Sequence, residues 1–367
     1  MNDKKNQIDL IEDDWDELSE DYIQEERPLS LNKRSQLKRK KKSYKVLKRC
    51  LAVFIIVGSL FLLFFGTRFG RGLIYRMASS YVYGSLVHDE EATEAMSQNN
   101  NGIVGRQEDG VTNLLLFGIE EIGGARNTDS MMIASINSNK KTVKLVSLMR
   151  DSYVSIPGWK STKLNAAYAK GGAELLIRTI EENYKLHIDA YASVNFESFE
   201  KIVDSIGGVS IELGKEEAKY LRRTNYISNP EYRTVKAGVN TLNGNQLLGY
   251  CRVRKVKTLG GANNDYGRTV RQRRAMNAIF DKVKSQNIFK TVSQANKWMG
   301  YVTTNITRDQ IEDIIVTVME YRINTIDTLR LPVDGMFDDP KSYEGVTYPL
   351  VLDWEKNIDE LYRFLYE

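Results

Sequence analysis

Residues 50–66, CLAVFIIVGSLFLLFFG, carry no charge and no proline, and no other stretch constrains this chain so strongly. At about 1.5 Å per residue, a helix of this length nearly crosses a hydrocarbon layer of about 30 Å, and Val46, Leu47 and Phe69 extend its apolar reach. The sequence predicts a single transmembrane helix over residues 50–69. A cleaved signal peptide would place its apolar stretch nearer the start and close it on small residues, whereas here Thr67-Arg68-Phe69-Gly70-Arg71 follows. The 52 basic and 48 acidic side chains nearly cancel, but they are segregated. Residues 9–26 are dense in carboxylates, and residues 33–49 are dense in cations, including Lys38-Arg39-Lys40-Lys41-Lys42. Neither block has the apolar residues for a core, so residues 1–49 are expected to be a disordered tail. The positive-inside rule then places that tail in the cytoplasm and everything beyond about residue 70 outside the cell membrane. Basic residues beside a span also meet anionic lipid headgroups, and no recognition helix accompanies them, so nucleic acid is not the expected partner.

Residues 70–111 read as a stalk, helical over 73–96 and ending in the polar run Gln98-Asn99-Asn100-Asn101-Gly102. The folded domain is expected over 112–367. Stretches rich in branched residues predict strands at 113–117, 131–137, 142–148, 190–194 and 209–213. A hairpin through Ser138-Asn139-Lys140-Lys141 is expected to join the second and third of these. Helical patterns alternate with them at 173–184, 197–206, 215–225, 243–250, 267–285, 308–322 and 354–365, with a further strand at 328–331. The alternation predicts an α/β fold of three layers, α/β/α, around a central mixed sheet. Cys50 and Cys251 make at most one bridge, which excludes a disulfide scaffold and a four-thiolate zinc site. His88 and His187 supply neither a histidine-based metal centre nor a Ser-His-Asp set. No Walker loop is present, because Gly123-Gly124 and Gly260-Gly261 lack a following Lys-Ser/Thr.

The chemistry-bearing feature is a surplus of arginines at particular places. In the helix opening with Asp265-Tyr266-Gly267-Arg268, residues Arg268, Arg271, Gln272 and Ala275 share the stripe that continues into Met276, Ile279 and Val283. Two inward guanidiniums call for an anion, either a phosphate-bearing ligand or internal carboxylates. Arg273 and Arg274 fall off this stripe and are expected in solvent. An extended chain at 250–254 puts Arg252 and Arg254 on one side, and Arg150-Asp151 stands where the apolar strand at 142–148 ends. Such a convergence with no equally concentrated carboxylate supply points to an anionic ligand. Glu120 and Asp129 flank neighbouring strands near one rim, and two oxygen ligands that leave the remaining shell to water and phosphate oxygens suit Mg²⁺.

Taken in order, the segments Asn113-Leu114-Leu115-Leu116-Phe117-Gly118, Thr128-Asp129-Ser130, Arg150-Asp151-Ser152-Tyr153, Lys163-Leu164-Asn165-Ala166-Ala167-Tyr168-Ala169, Gly207-Gly208-Val209, Leu242-Asn243-Gly244, 250–254 and 267–272 resemble the LytR-CpsA-Psr family. The resemblance is strongest over 112–285. It implies a phosphotransferase outside a Gram-positive-type membrane. Such an enzyme moves a glycopolymer, of the teichoic acid or capsular polysaccharide kind, from an undecaprenyl-pyrophosphate carrier to a peptidoglycan hydroxyl, forming a phosphodiester. The resemblance assigns the pyrophosphate to Arg150, Arg252, Arg254, Arg268 and Arg271 with Gln272 beside them, further substrate contacts to Lys163 and Arg126, and Mg²⁺ to Asp129 and Glu120. Family members usually carry Asp where Glu120 stands, and an Arg where Asn127 stands, with Arg126 here displaced by one. Asp151 or Glu120 is the expected proton acceptor, and the helices at 173–184 and 267–285 are candidates to wall a polyprenyl groove. A membrane-anchored regulator and a non-catalytic wall-binding scaffold are the alternative functions.

Overall fold

A computed structural model describes residues 45, 48–62, 66–99, 105–122, 125–286, 299–321, 323 and 325–367. The central element is a seven-stranded mixed sheet in the order β1-β10-β7-β2-β3-β4-β11. Its strands are β1 (Val87–His88), β2 (Val111–Ile122), β3 (Ala125–Asn137), β4 (Thr142–Leu148), β7 (Ala190–Asn195), β10 (Thr303–Thr304) and β11 (Ile326–Leu331). β2 is parallel to β7 and antiparallel to β3, while β4 is antiparallel to β3 and parallel to β11. The carboxyl ends of β2, β4, β7 and β11 therefore share one rim with the amino end of β3. The expected hairpin joins β3 to β4, its turn held by the Lys140 amide donating to Asn137 Oδ1 at 2.8 Å.

Strict alternation along the strands makes two apolar faces. Leu115, Phe117, Met131, Ile133, Val146 and Leu148 meet Leu176, Ile177, Ile180 and Tyr184 of α3 (Ala166–Tyr184), together with Leu361 and Leu365 of α9 (Trp354–Tyr366). Leu114, Ala134, Ile136 and Val143 face the other way, toward Ile314 and Val318 of α8 (Arg308–Glu320) and Phe280 of α7 (Asn264–Lys284). Helices thus cover both faces, as the alternating pattern predicts. Leu176, Ile177, Ile180 and Tyr184 of the stripe at 173–184 are buried in this core, while Ala173 and Leu175 are only partly buried against it. A second core forms beside the sheet. There α4 (Phe196–Ser205), α5 (Lys215–Arg223) and α6 (Gly244–Arg252) pack with the hairpin β8 (Val209–Leu213) and β9 (Gly238–Leu242) and with α7. Gly244 is required there, because a Cβ would stand 2.1 Å from the Glu200 carbonyl oxygen. Cys251 lies in this core, its thiol pushed up to about 12 by burial, which leaves it no part as a nucleophile.

Two units partition the chain, residues 1–70 and 71–367. In the first, residues 48–62 are helical and expose their apolar side chains, Phe54 to 75%. Positions 63–65 of the expected span, and the tail before residue 45, lie outside the described residues. Among the described residues no helix is long and apolar enough to cross a membrane. The segment expected as a stalk is drawn into the second unit. It forms α1 (Arg68–Tyr83), β1 and α2 (Glu90–Asn99); β1 pairs with β10, and Arg71 forks onto both carboxylate oxygens of Glu320 at 2.7 and 3.0 Å.

His187 ties α3 to the start of β7, with Nδ1 2.9 Å from Glu181 and Nε2 3.8 Å from Asp189, whose carboxylate in turn accepts from the Asn113 amide at 2.7 Å. The hydrogen bond to Glu181 raises the imidazole above its ordinary value. A raised value in the folded state means that His187 stabilises the fold fully below about pH 6.5 and loses that contribution as the pH rises through the folded value. Thermal melts should therefore separate the parent from His187→Gln more at pH 5.5 than at pH 8.5. An equal gap at both would refute the assignment.

Candidate active site

The rim of the sheet gathers side chains from seven separate segments. A β-bulge begins the construction: Gly118 pairs with Ser130 and Ile119 with Thr128, which leaves Asp129 opposite no residue. An extra residue of this kind turns its side chain out of the ladder. Asp129 Oδ1 accepts from Arg150 Nη1 at 2.6 Å, and Oδ2 accepts from Arg268 Nη1 at 3.3 Å. Burial works against the ionised carboxyl, but Arg150 and Arg268 outweigh it and hold Asp129 below the ordinary carboxylate range. Arg150 lies two residues past the end of β4 and is joined on its other side by Asp151 at 3.4 Å. Lys163, in the short strand β6 (Thr162–Lys163), reaches Asp151 at 2.9 Å.

Helix α7 supplies the floor. Arg268 lies in its second turn with its side chain 6% exposed, between Asp129 and Asp265, the latter at 3.0 Å. Burial first, and then the like charge of Arg150, lowers its pKa from the ordinary guanidinium value. Its Nε–H is buried and meets no acceptor among the described residues. Gly267 is needed beside it, since a Cβ would come within 2.8 Å of the Ala262 carbonyl oxygen and 3.1 Å of Arg271.

Arg252 and Arg254 form the mouth, 40% and 41% exposed. The extended chain expected here is instead the end of α6, whose last residue is Arg252 and whose cap is Val253. The two arginines consequently diverge. Arg252 donates to Glu120 at 3.1 Å and lies over the Phe196 ring at 4.8 Å, whereas Arg254 donates to Asp265 at 2.5 Å.

Arg271 does not join this cluster. It is fully buried, with Nε donating to Glu217 at 2.8 Å, Nη1 to the Val253 carbonyl at 3.1 Å and Nη2 to the Val256 carbonyl at 2.8 Å. Of the two inward guanidiniums expected on α7, one faces the rim and the other is neutralised by an internal carboxylate while it staples the loop that carries Arg254. Gln272 is half-buried and makes no hydrogen bond among the described residues, and Arg126 is exposed on the β2–β3 hairpin beyond the bulge. Arg274, expected in solvent, donates to the Tyr250 hydroxyl at 2.8 Å and to the Glu212 carbonyl at 2.6 Å.

The expected shortage of carboxylates is also corrected. Arg150, Arg252, Arg254, Arg268 and Lys163 face Glu120, Asp129, Asp151 and Asp265, which leaves one net positive charge. N–H donors are nonetheless in excess, although Asp265 Oδ1 is itself buried without a hydrogen bond. Asp129 and Asp265 each serve two arginines, and the guanidiniums carry more N–H donors than these contacts use. Such a network is nearly neutral yet rich in unused donors, a combination suited to a multidentate oxyanion that exchanges with the resident carboxylates. Asp265 and Phe196 complete the cluster. Asp265 stands three residues before Arg268, a spacing that pairs charges on a helix, while Phe196 has no local signal.

The LytR_cpsA_psr family model matches residues 76–358. Polyisoprenyl-teichoic acid–peptidoglycan teichoic acid transferase TagU of Bacillus mycoides is 33% identical over 251 residues, covering 66% of this chain and 74% of TagU. Regulatory protein MsrR of Staphylococcus aureus is 31% identical over 274 residues, 73% of this chain and 78% of MsrR. Among solved structures, TagT bound to LIIa-WTA superposes with a TM-score of 0.55 at 25% identity, covering 72% of this chain and 94% of that one. With the model matched over most of its length, the chain belongs to the LytR_cpsA_psr family.

Proposed function

We propose that this protein transfers an anionic glycopolymer, of the teichoic acid class, from a polyprenyl-pyrophosphate carrier to a hydroxyl of peptidoglycan, forming a phosphodiester. The observation that carries the reading is the donor-rich, nearly neutral arginine cluster, with Arg268 at its floor holding a buried N–H that no group among the described residues accepts. The names of TagU and of the TagT complex support teichoic acid and peptidoglycan as substrates.

In this reading the acceptor oxygen attacks the phosphorus that bears the sugar, the bridging P–O bond breaks, and polyprenyl phosphate leaves. Such a transfer depends on neutralising charge and aligning the two oxygens more than on a protein nucleophile. Arg150 and Arg268 hold the diphosphate from below, while Arg252 and Arg254 close over it from the mouth. Lys163 lies at the edge of the cluster through Asp151. Glu120 and Asp151 are the carboxylates placed to take the acceptor's proton.

Mg²⁺ fits one part of this arrangement. Among the described residues no three metal-binding side chains group together, so an all-protein cage is not available. Asp129 is held in its ionised form with one oxygen on Arg150 and the other on Arg268, so it suits an ion only as a shared ligand, the rest of whose shell is water and phosphate oxygens. Asp129 would hold it, with Glu120 as the second candidate, and a bound Mg²⁺ would supply further neutralisation of the phosphate oxygens. The domain works outside the cell membrane, anchored by residues 50–69 with the amino terminus in the cytoplasm. The apolar run preceded by cations supports that placement.

The full chain in detergent micelles, given a lipid-pyrophosphate-linked polymer and peptidoglycan, should release polyprenyl phosphate in step with polymer attachment. Mass spectrometry of lipid copurifying with the chain should find a phosphorylated polyprenol. A chain that retains wall association, or a transcriptional effect, while transferring nothing is a scaffold or a regulator.

A further inference from the structure

Arg273, expected in solvent, is half-buried. Its Nη1 is sealed from water without a hydrogen-bond partner, and no hydrogen bond or ion pair engages the side chain among the described residues. Its charged neighbour is a second guanidinium, Arg330, on the edge strand β11 against which α7 packs. Burial, and then this like charge, lowers the Arg273 pKa to about 10. Arg330 lies over the Tyr266 ring at 4.6 Å, and its carboxylate partner is Asp334 at 2.6 Å, whose side chain is 88% exposed. Ser147, the register partner of Arg330 on β4, has a buried hydroxyl with no partner either.

Two guanidiniums on the packed face between α7 and β11, one of them with no ion pair among the described residues, are costly unless an anion meets them. Their position says which anion. Tyr266, beneath Arg330, follows Asp265 of the diphosphate cluster, and Arg330 stands on the same rim as Arg150, one strand away. Arg273 stands seven residues on from Tyr266, on the same face of α7, so Arg330 over Tyr266 and Arg273 share the strip of the helix that faces β11. Asp334 is the group such a ligand would displace, and its exposure makes it free to leave.

We propose that Arg273 and Arg330 form a second anion subsite that takes a phosphate group next to the one at the main cluster. Resting on the reading above, its occupant is a phosphodiester of the glycopolymer, and free inorganic phosphate shares the same chemistry. The subsite would then select donors by the presence of a phosphate at a set distance from the diphosphate.

The test uses the full chain in detergent micelles and two probes, inorganic phosphate and a glycerol phosphate trimer, each titrated with and without saturating farnesyl pyrophosphate. The parent should bind the trimer with the main site filled, and Arg273→Met and Arg330→Gln should each weaken that binding by about tenfold or more. The trimer should raise the melting temperature of the parent. Arg273→Met, relieved of a half-buried charge, should melt at or above the ligand-free parent and no longer respond to the trimer. Equal trimer affinity in the parent and in Arg273→Met overturns the subsite. Tighter binding of inorganic phosphate than of the trimer overturns the polymer as its occupant. Absence of farnesyl pyrophosphate binding counts against the main-site reading instead, since the titrations without it report on this subsite alone.

Discussion

Arg268→Ala should lower polymer transfer by about 10²–10³ in rate, the range observed when one preorganised stabiliser of transition-state charge is removed. The size follows from position. Arg268 is the most buried cation of the cluster, in a setting where water cannot screen its attraction for phosphate oxygens. The same burial, together with the like charge of Arg150, means that the fold gains little from this guanidinium before substrate arrives. Its removal leaves Asp129 held by Arg150 and Asp265 held by Arg254, so no carboxylate is orphaned and the melting temperature should scarcely move. Arg268→Lys keeps the charge but not the fork and should recover only part of the rate. Single-turnover transfer on the purified full chain, read beside a thermal melt, gives both numbers. A rate that matches the parent, in a protein that melts normally, removes Arg268 from catalysis.

The contrast between Arg268 and Arg271 also marks the limit of what the chain displays before folding. Periodicity puts both on the inward stripe of one helix, and both are buried. Which of them meets a ligand depends on Glu217, 54 residues earlier, and on two backbone carbonyls of the loop at 253–256, none of which has a local signature. The same reason hides the carboxylate supply. Glu120 lies 132 residues from Arg252, and Asp129 lies 139 from Arg268, distances at which spacing says nothing about contact. Alternation, by contrast, is a local property. Strands β4 and β8 begin and end where the branched residues do, and the helices of the folded domain lie close to where their apolar stripes place them. At 250–254 the two kinds of information conflict. Arg252 and Arg254 look like alternate residues of a strand, but the Asn243–Gln246 capping box starts a helix that carries Arg252 to its end. The bulge at Asp129 is the opposite case, a single residue out of register that only the paired strand reveals.

Arg271→Met should cost about 3–5 kcal/mol of stability, because it leaves the Glu217 carboxylate buried without its counter-charge. Glu217 is itself fully committed. One oxygen accepts from Arg271, and the other accepts from the Gly214 amide at 2.9 Å, where it caps α5. Glu217→Gln should be comparably costly: if its amide oxygen keeps that cap, its NH2 faces the Arg271 Nε–H, so the hydrogen bond is lost with the charge and the buried guanidinium has no counter-ion. The pair replaced together, Arg271→Met with Glu217→Leu, should cost less than the sum of the single changes, because neither charge is left stranded. Urea denaturation of the full chain, followed by tryptophan fluorescence, reads these differences. The carbonyls of Val253 and Val256 add a second consequence. Without Arg271 the loop that positions Arg254 loses two of its hydrogen bonds, so Arg271→Met should weaken farnesyl pyrophosphate binding even at temperatures where the fold persists. Arg268→Ala and Arg271→Met would then both reduce transfer by different routes, and only the second would lower the denaturation midpoint. A normal midpoint for Arg271→Met would return this residue to the ligand-binding cluster.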